Sequence, residues 1–154
     1  MVGLERLRLS PDVAGDGAGV LRVPAATLAA MLAHVLAGYP DEACGVLAGQ
    51  DGAVTAHYAT ANAAATPRTF SEIAPRDLLR IWDEIDRRDW QMLAYYHSHP
   101  ATPAYPSPRD VLWSQNWPGT FYIIFSLADP AAPVVRAFLI SGERVAEYRL
   151  LAEP

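Results

Sequence analysis

Two short clusters carry residue types that can hold a metal ion. The first is His97-Ser98-His99. The second, beginning after seven intervening residues, is Ser107-Pro108-Arg109-Asp110. In an extended chain, residues i and i+2 point to the same face, so both imidazoles of His-x-His can converge on one ion. A catalytic zinc commonly takes three protein ligands and keeps a fourth position for water, which leaves one donor to find. Asp110 lies in the first turn of the next helix, beyond a loop stiffened by Pro100, Pro103 and Pro106. The same four residues also read as a plain helix start, with Ser107 as N-cap, Pro108 at N1 and an acid at N3. The two readings are compatible, because a cap fixes the backbone and a fixed backbone aims the Asp110 carboxylate.

The surrounding elements must place these side chains. Met92 to Tyr96 is expected to be a buried strand running straight into His97. Phe121 to Leu127 is a second strongly apolar strand. Between them a helix opens at Ser107 and ends near Trp117-Pro118-Gly119. Upstream, Leu28, Met31, Leu32, Val35 and Leu36 recur at helical spacing, with Pro24 in the first turn and Gly38 at the end. Residues 43–49 read as a buried strand, Asp51-Gly52 as a two-residue turn, and Val54 to Ala59 as the returning strand. A second amphipathic helix spans Pro75 to Asp89. Val134 to Ile140 and Val145 to Leu150 form a closing hairpin. At the N-terminus, residues 4–9 alternate like a strand, 10–19 read as a Gly- and Asp-rich loop, and Val20 to Val23 as another short strand. The hairpins imply mostly antiparallel pairing. The fold class is α+β or mixed α/β, a central mixed sheet flanked by helices. Residues 1–154 are read as a single domain, with 1–19 as an N-terminal extension or hairpin.

Composition excludes several function classes. The 154 residues are 51% hydrophobic and 19% charged, as expected of a globular chain rather than a disordered one. The formal charge is −5, and Arg87-Arg88 is flanked by Asp86 and Asp89, so nothing resembles a nucleic-acid-binding face. One cysteine, Cys44, permits no internal disulfide and fits a reducing compartment. The first residues lack the order of a signal peptide, and no apolar run is long enough to span a bilayer. The expectation is a cytoplasmic protein with no membrane or nucleic-acid partner.

His97-Ser98-His99, seven residues, Ser107, two residues and Asp110 together resemble the signature of the JAMM family, also called MPN+ or JAB. Pro40-Asp41-Glu42-Ala43-Cys44-Gly45-Val46-Leu47-Ala48-Gly49 resembles that family's Glu-bearing segment at the start of its first long strand. The resemblance runs from about residue 20 onward. It is strongest to small stand-alone bacterial and archaeal members. His-Ser-His followed by Ala-Thr-x-Ala-Tyr-Pro-Ser is similar to enzymes that trim ubiquitin-like sulfur-carrier proteins during cysteine assembly.

The resemblance implies a cytidine deaminase-like fold and one Zn2+ per chain, held by His97, His99 and Asp110. It implies Glu42 as general base and Ser107 as hydrogen-bond donor to the oxyanion. The implied reaction is hydrolysis of an amide bond after the C-terminal Gly-Gly of a small ubiquitin-like or sulfur-carrier protein. Spacing alone does not select Glu42 over Glu72 or Glu84. Two other readings stand beside this one. A RadC-like relative shares a similar pattern; it is not expected here, because no preceding helical DNA-binding module is read from these residues and the net charge is negative. A metal-free MPN-type scaffold would lack one or more ligands, whereas this chain has them all. Cys44 is expected to be a buried small hydrophobe. His34 and His57 are read as surface or strand histidines. Asn62 either borders the substrate groove or is a turn residue. Trp113 and Trp117 are expected to pack in the core, and Tyr105 either shapes the cleft or packs.

Overall fold

The computed structural model describes residues 3–9 and 19–154, so the proposed loop at 10–18 lies outside the described residues. A 3-10 turn, Leu4–Arg6, stands where the alternation suggests a strand, because only the last two residues of that stretch find a partner. The strands are β1 (Arg8–Leu9), β2 (Val20–Pro24), β3 (Cys44–Gln50), β4 (Ala53–Thr60), β5 (Gln91–His99), β6 (Phe121–Ser126), β7 (Val134–Ser141) and β8 (Arg144–Glu153). Three helices join them: α1 (Ala25–Gly38), α2 (Pro75–Arg87) and α3 (Pro108–Ser114).

The sheet runs β2-β8-β7-β6-β5-β3-β4, with β1 beside β7. The expectation of mostly antiparallel pairing holds for four of the seven strand pairs: β3 pairs antiparallel with both β4 and β5, and β7 with both β6 and β8. Three pairs are parallel: β1 with β7, β2 with β8, and β5 with β6. β1 and β2 do not pair with each other. Asp51 and Gly52 both have positive φ, 53° and 78°, as the two-residue hairpin turn between β3 and β4 requires.

Some boundaries move. Pro24 ends β2 and precedes α1 rather than sitting inside its first turn. α3 stops at Ser114, short of the expected end near Trp117, because turn residues take over before Pro118. β5 continues through both histidines, since its parallel neighbour β6 pairs with it as far as His99 opposite Ser126.

Side-chain alternation divides the sheet into two faces. On one, Leu28, Met31, Leu32 and Val35 of α1 pack with Leu47, Ala94, Tyr96, Ile123 and Phe125. On the other, Ile81 and Ile85 of α2 cover Val46 and Ala48, while Tyr122, Ile124, Phe138 and Ile140 form a neighbouring cluster. Cys44 is fully buried, as expected of a small apolar strand residue. The unit β5-α3-β6 is a parallel crossover. Side chains at the C-terminal ends of such strands face a crevice where open sheets place ligands. No helix among the described residues is long and apolar enough to cross a membrane.

Candidate metal centre and catalytic site

His97 and His99 are the last odd-numbered residues of β5, so their rings leave the sheet on the side of α2 and α3. Both are buried. Their Nε2 atoms lie 3.1 Å apart. Asp110 completes a compact triangle, with carboxylate oxygens 3.2 Å from Nε2 of each histidine. A tetrahedral ion with bonds of about 2.0–2.1 Å holds neighbouring donors about 3.3 Å apart. The three donors thus stand at the spacing a zinc ion imposes, and their chemistry, two imidazoles and one carboxylate, suits it.

Three local devices set this geometry. The His99 Nδ1–H donates to the Pro103 carbonyl at 2.9 Å, which leaves Nε2 as the lone-pair atom. The intervening loop is braced: Leu127 N–H donates to the His99 carbonyl at 2.9 Å, and Ser126 Oγ donates to the Thr102 carbonyl at 2.6 Å. The start of α3 is a full capping box. Asp110 N–H donates to Ser107 Oγ at 3.1 Å, and Ser107 N–H donates to Asp110 Oδ2 at 2.9 Å. The N3 carboxylate of the capping box, Asp110, is therefore also the one aimed at the histidines. His97 Nδ1 is buried without a hydrogen-bond partner, so the outer support that His99 receives from Pro103 has no counterpart at His97.

Glu42 enters from the other side of β5. It has no place in a helix or strand, yet its backbone is held at both ends: its N–H donates to the Pro67 carbonyl at 2.7 Å, and its carbonyl accepts from Asn62 Nδ2 at 2.9 Å. One carboxylate oxygen lies within 4.8 Å of ring nitrogens on both histidines. Two overlapping donor sets result, His97-His99-Asp110 and His97-His99-Glu42. The first is the tighter and matches direct coordination. The longer reach of Glu42 suits a carboxylate acting through a water molecule.

Charge explains the electrostatics. Burial alone would raise the Asp110 pKa, but the His97 charge, hydrogen bonds from both histidines and the Ser107 N–H hold the carboxyl far below its usual range. Burial would lower the His99 pKa, but the Asp110 hydrogen bond, the Pro103 carbonyl and the Asp110 and Glu42 charges raise it. Burial raises the Glu42 pKa, with the two histidines opposing that shift.

Beside Asp110 lies an apolar cavity of about 250 Å³ whose walls include Phe70, Met92, Tyr95, Trp113 and Trp117. The expectation that both tryptophans pack in the core fails here. α3 is too short to bury Trp113, which stays 43% exposed with its ring 6.0 Å from Phe70, while Trp117 stacks on Trp82 at 5.9 Å. Tyr105 is also exposed and rests edge-on against Phe138, 5.4 Å away. Away from this face, His34 and His57 bind one oxygen, the Tyr96 hydroxyl, at 2.6 and 2.7 Å.

The sequence reading left Asn62 open and did not name Ser71 or Tyr95. Asn62 is a clamp: besides Glu42, its Nδ2 donates to the Phe70 carbonyl at 2.9 Å, and its Oδ1 accepts from Ala64 and Glu72 N–H groups at 3.0 Å. Ser71 Oγ and Tyr95 Oη lie 2.7 Å apart. Nothing in the spacing of residues 62–72 announces a partner at Glu42, so these roles become visible only in the fold.

The family described as prokaryotic homologs of the JAB domain matches residues 24–141. The CysO-cysteine peptidase of Mycobacterium tuberculosis is 37% identical over 130 residues, covering 83% of this chain and 88% of that protein. A probable TtuB-protein conjugate cleaving protease of Thermus thermophilus is 37% identical over 128 residues, covering 82% and 81%. The solution structure of protein DSY2949 from Desulfitobacterium hafniense superposes with a TM-score of 0.75 at 35% identity, covering 87% of this chain and 92% of that one. The chain is a member of the prokaryotic JAB-domain family, the prokaryotic relatives of the JAMM proteins.

Proposed function

We propose that this protein is a zinc-dependent peptidase that hydrolyses the amide bond after the C-terminal Gly-Gly of a small ubiquitin-like or sulfur-carrier protein. The observation that carries the reading is the triangle of His97 Nε2, His99 Nε2 and Asp110 carboxylate at 3.1–3.2 Å, with the Glu42 carboxylate alongside. Relatives named for cleaving CysO-cysteine and TtuB conjugates support the substrate class.

His97, His99 and Asp110 would hold the ion. A zinc ion bound by them supplies a Lewis acid and a water whose pKa falls to about 7. Glu42 accepts the proton of the attacking water and returns it to the departing amine, a role worth roughly 10²–10⁴-fold. Its raised pKa suits both halves of that task. Ser107 has a free O–H. Its oxygen accepts from Asp110 N–H, so its hydrogen remains available to the oxyanion of the tetrahedral intermediate. The apolar walls formed by Phe70 and Trp113 would shield one side of the reacting bond once substrate fills the cleft. A Gly-Gly tail fits because no Cβ meets the cleft as the backbone lies close to the ligands.

The experiment is to offer a Gly-Gly-ended carrier extended by one cysteine or a short peptide and to weigh the products by mass spectrometry. Cleavage after the second glycine, abolished by chelator and restored by zinc, is the expected result. A zinc-loaded enzyme that ignores such carriers but cuts unrelated peptides would overturn the substrate assignment.

A further inference from the structure

The loop from Asn62 to Ile73 does more than border the cleft. Its two ends meet in a β-bridge, Asn62 opposite Ile73. The Asn62 amide then grips both neighbours of Ser71, donating to the Phe70 carbonyl and accepting from the Glu72 N–H. The same amide nitrogen donates to the carbonyl of Glu42. One side chain thus fixes Ser71 and Glu42 relative to each other through the backbone on either side.

The hydroxyl of Ser71 is set by a second contact. Tyr95 Oη lies 2.7 Å away, on the strand that carries the histidines. The proton order follows from the neighbours. Thr60 donates its hydroxyl hydrogen to the Cys44 carbonyl at 2.8 Å, which leaves its oxygen to accept the Cys44 S–H at 3.4 Å. The Cys44 thiol also lies against the Tyr95 hydroxyl, but sulfur is a weak acceptor, so Ser71 Oγ is the stronger partner for the phenol O–H. With the Tyr95 O–H donated to it, Ser71 turns its own hydrogen outward. The Glu42 carboxylate is the acceptor it faces.

We propose that Ser71 is a positioning residue for the Glu42 carboxylate, its hydroxyl oriented by Tyr95 and its backbone clamped to Glu42 by Asn62. The inference rests on Glu42 being the general base. A glutamate side chain that leaves a segment outside regular structure needs such a tether.

The test compares Ser71→Ala, Ser71→Thr, Tyr95→Phe and Glu42→Gln, with the double variants, on zinc-loaded enzyme and an extended Gly-Gly carrier. Ser71→Ala should lower kcat about 10- to 100-fold, the range seen for outer supports of a catalytic site. KM, zinc content and melting temperature should stay near wild type. Ser71→Thr keeps the hydroxyl and should recover most of the loss. Tyr95→Phe should lower kcat less, and its effect should vanish in the Ser71→Ala background, because a relay is not additive. Ser71→Ala should likewise add nothing to Glu42→Gln. Equal fold losses in every background, or losses that track melting temperature, would overturn the proposal. A crippled Glu42→Gln beside an unaffected Ser71→Ala would remove the tether alone. Normal turnover of Glu42→Gln would remove the base and the tether with it.

Discussion

Ser107 sits at the crossing of structure and chemistry, and two substitutions separate its jobs. As N-cap its oxygen accepts one hydrogen bond, from Asp110 N–H at 3.1 Å. Losing that bond in Ser107→Ala should cost about 1 kcal/mol, whereas glycine at an N-cap costs only a few tenths. For a chain of this size 1 kcal/mol corresponds to roughly 2–4 °C in Tm. The reciprocal bond, from Ser107 N–H to Asp110 Oδ2 at 2.9 Å, belongs to the backbone and survives both changes. The Asp110 carboxylate should therefore stay aimed, and zinc content should hold. As oxyanion donor, the hydroxyl should be worth roughly 10²–10³-fold in kcat, and alanine and glycine remove it equally. The expected pattern is unequal melting temperatures with equal loss of turnover. Calorimetry, metal analysis and steady-state cleavage read the three quantities separately. If turnover follows Tm across the two variants, or if Ser107→Ala turns over normally, Ser107 is a cap and nothing more.

Other outcomes follow from the same geometry. His99→Ala and Asp110→Ala each break the triangle, and both should purify with little zinc and no activity; full activity in either, at verified metal loss, would refute the ligand set. Gly45→Ala places a Cβ against the Tyr96 ring and 2.5 Å from the Tyr58 carbonyl oxygen, so it should destabilise by about 1–3 kcal/mol in denaturant unfolding, and an unchanged midpoint would refute the packing argument. Acid should weaken the fold through His34 and His57. Burial lowers both pKa values, a shift the Thr60 carbonyl opposes at His34 and the His34 charge reinforces at His57. The unfolded chain then binds more protons below about pH 6.5, so this stability is fully present above that pH and is lost as pH falls toward the lower folded values. In chelated protein, the Tm slope between pH 7 and 5 should flatten in the double variant His34→Gln/His57→Gln; an unchanged slope would exclude the pair as its source.

The triangle of His97, His99 and Asp110 was legible in the sequence because it is local. His97 and His99 share a strand face by period-two alternation, and Asp110 follows on the next helix start, where Ser107 and Pro108 announce the cap. The turn at Asp51-Gly52 was legible for the same reason. What escaped depends on contacts between distant segments. No pattern in residues 4–24 indicates that β1 and β2 join β7 and β8 rather than each other. Trp113 carries the apolar character of a core residue, but α3 is only one face of a cleft and leaves it in the opening. His34 and His57 lie on different elements, and only the burial of Tyr96 between them makes them a pair.

The same contrast orders the site itself. The three proposed metal donors fall within residues 97–110, where bonds inside that stretch and to β6 set the His99 ring, the loop and the Asp110 carboxylate, while Ser98 between the histidines is tied both ways to Ala43, beside Glu42. The proposed base comes from residue 42 and is held by a different loop, through Asn62, Pro67 and Ser71. On the proposed reading, the side chains for metal binding and for proton transfer are therefore oriented by different segments, which meet where Ser98 bonds Ala43. Changes confined to residues 62–73 act on the carboxylate while the triangle keeps its 3.1–3.2 Å spacing, and changes at Pro103 or Ser126 act on the triangle while Glu42 keeps its clamp. A site divided this way can lose turnover without losing zinc, and that separation distinguishes an enzyme's base from a fourth ligand.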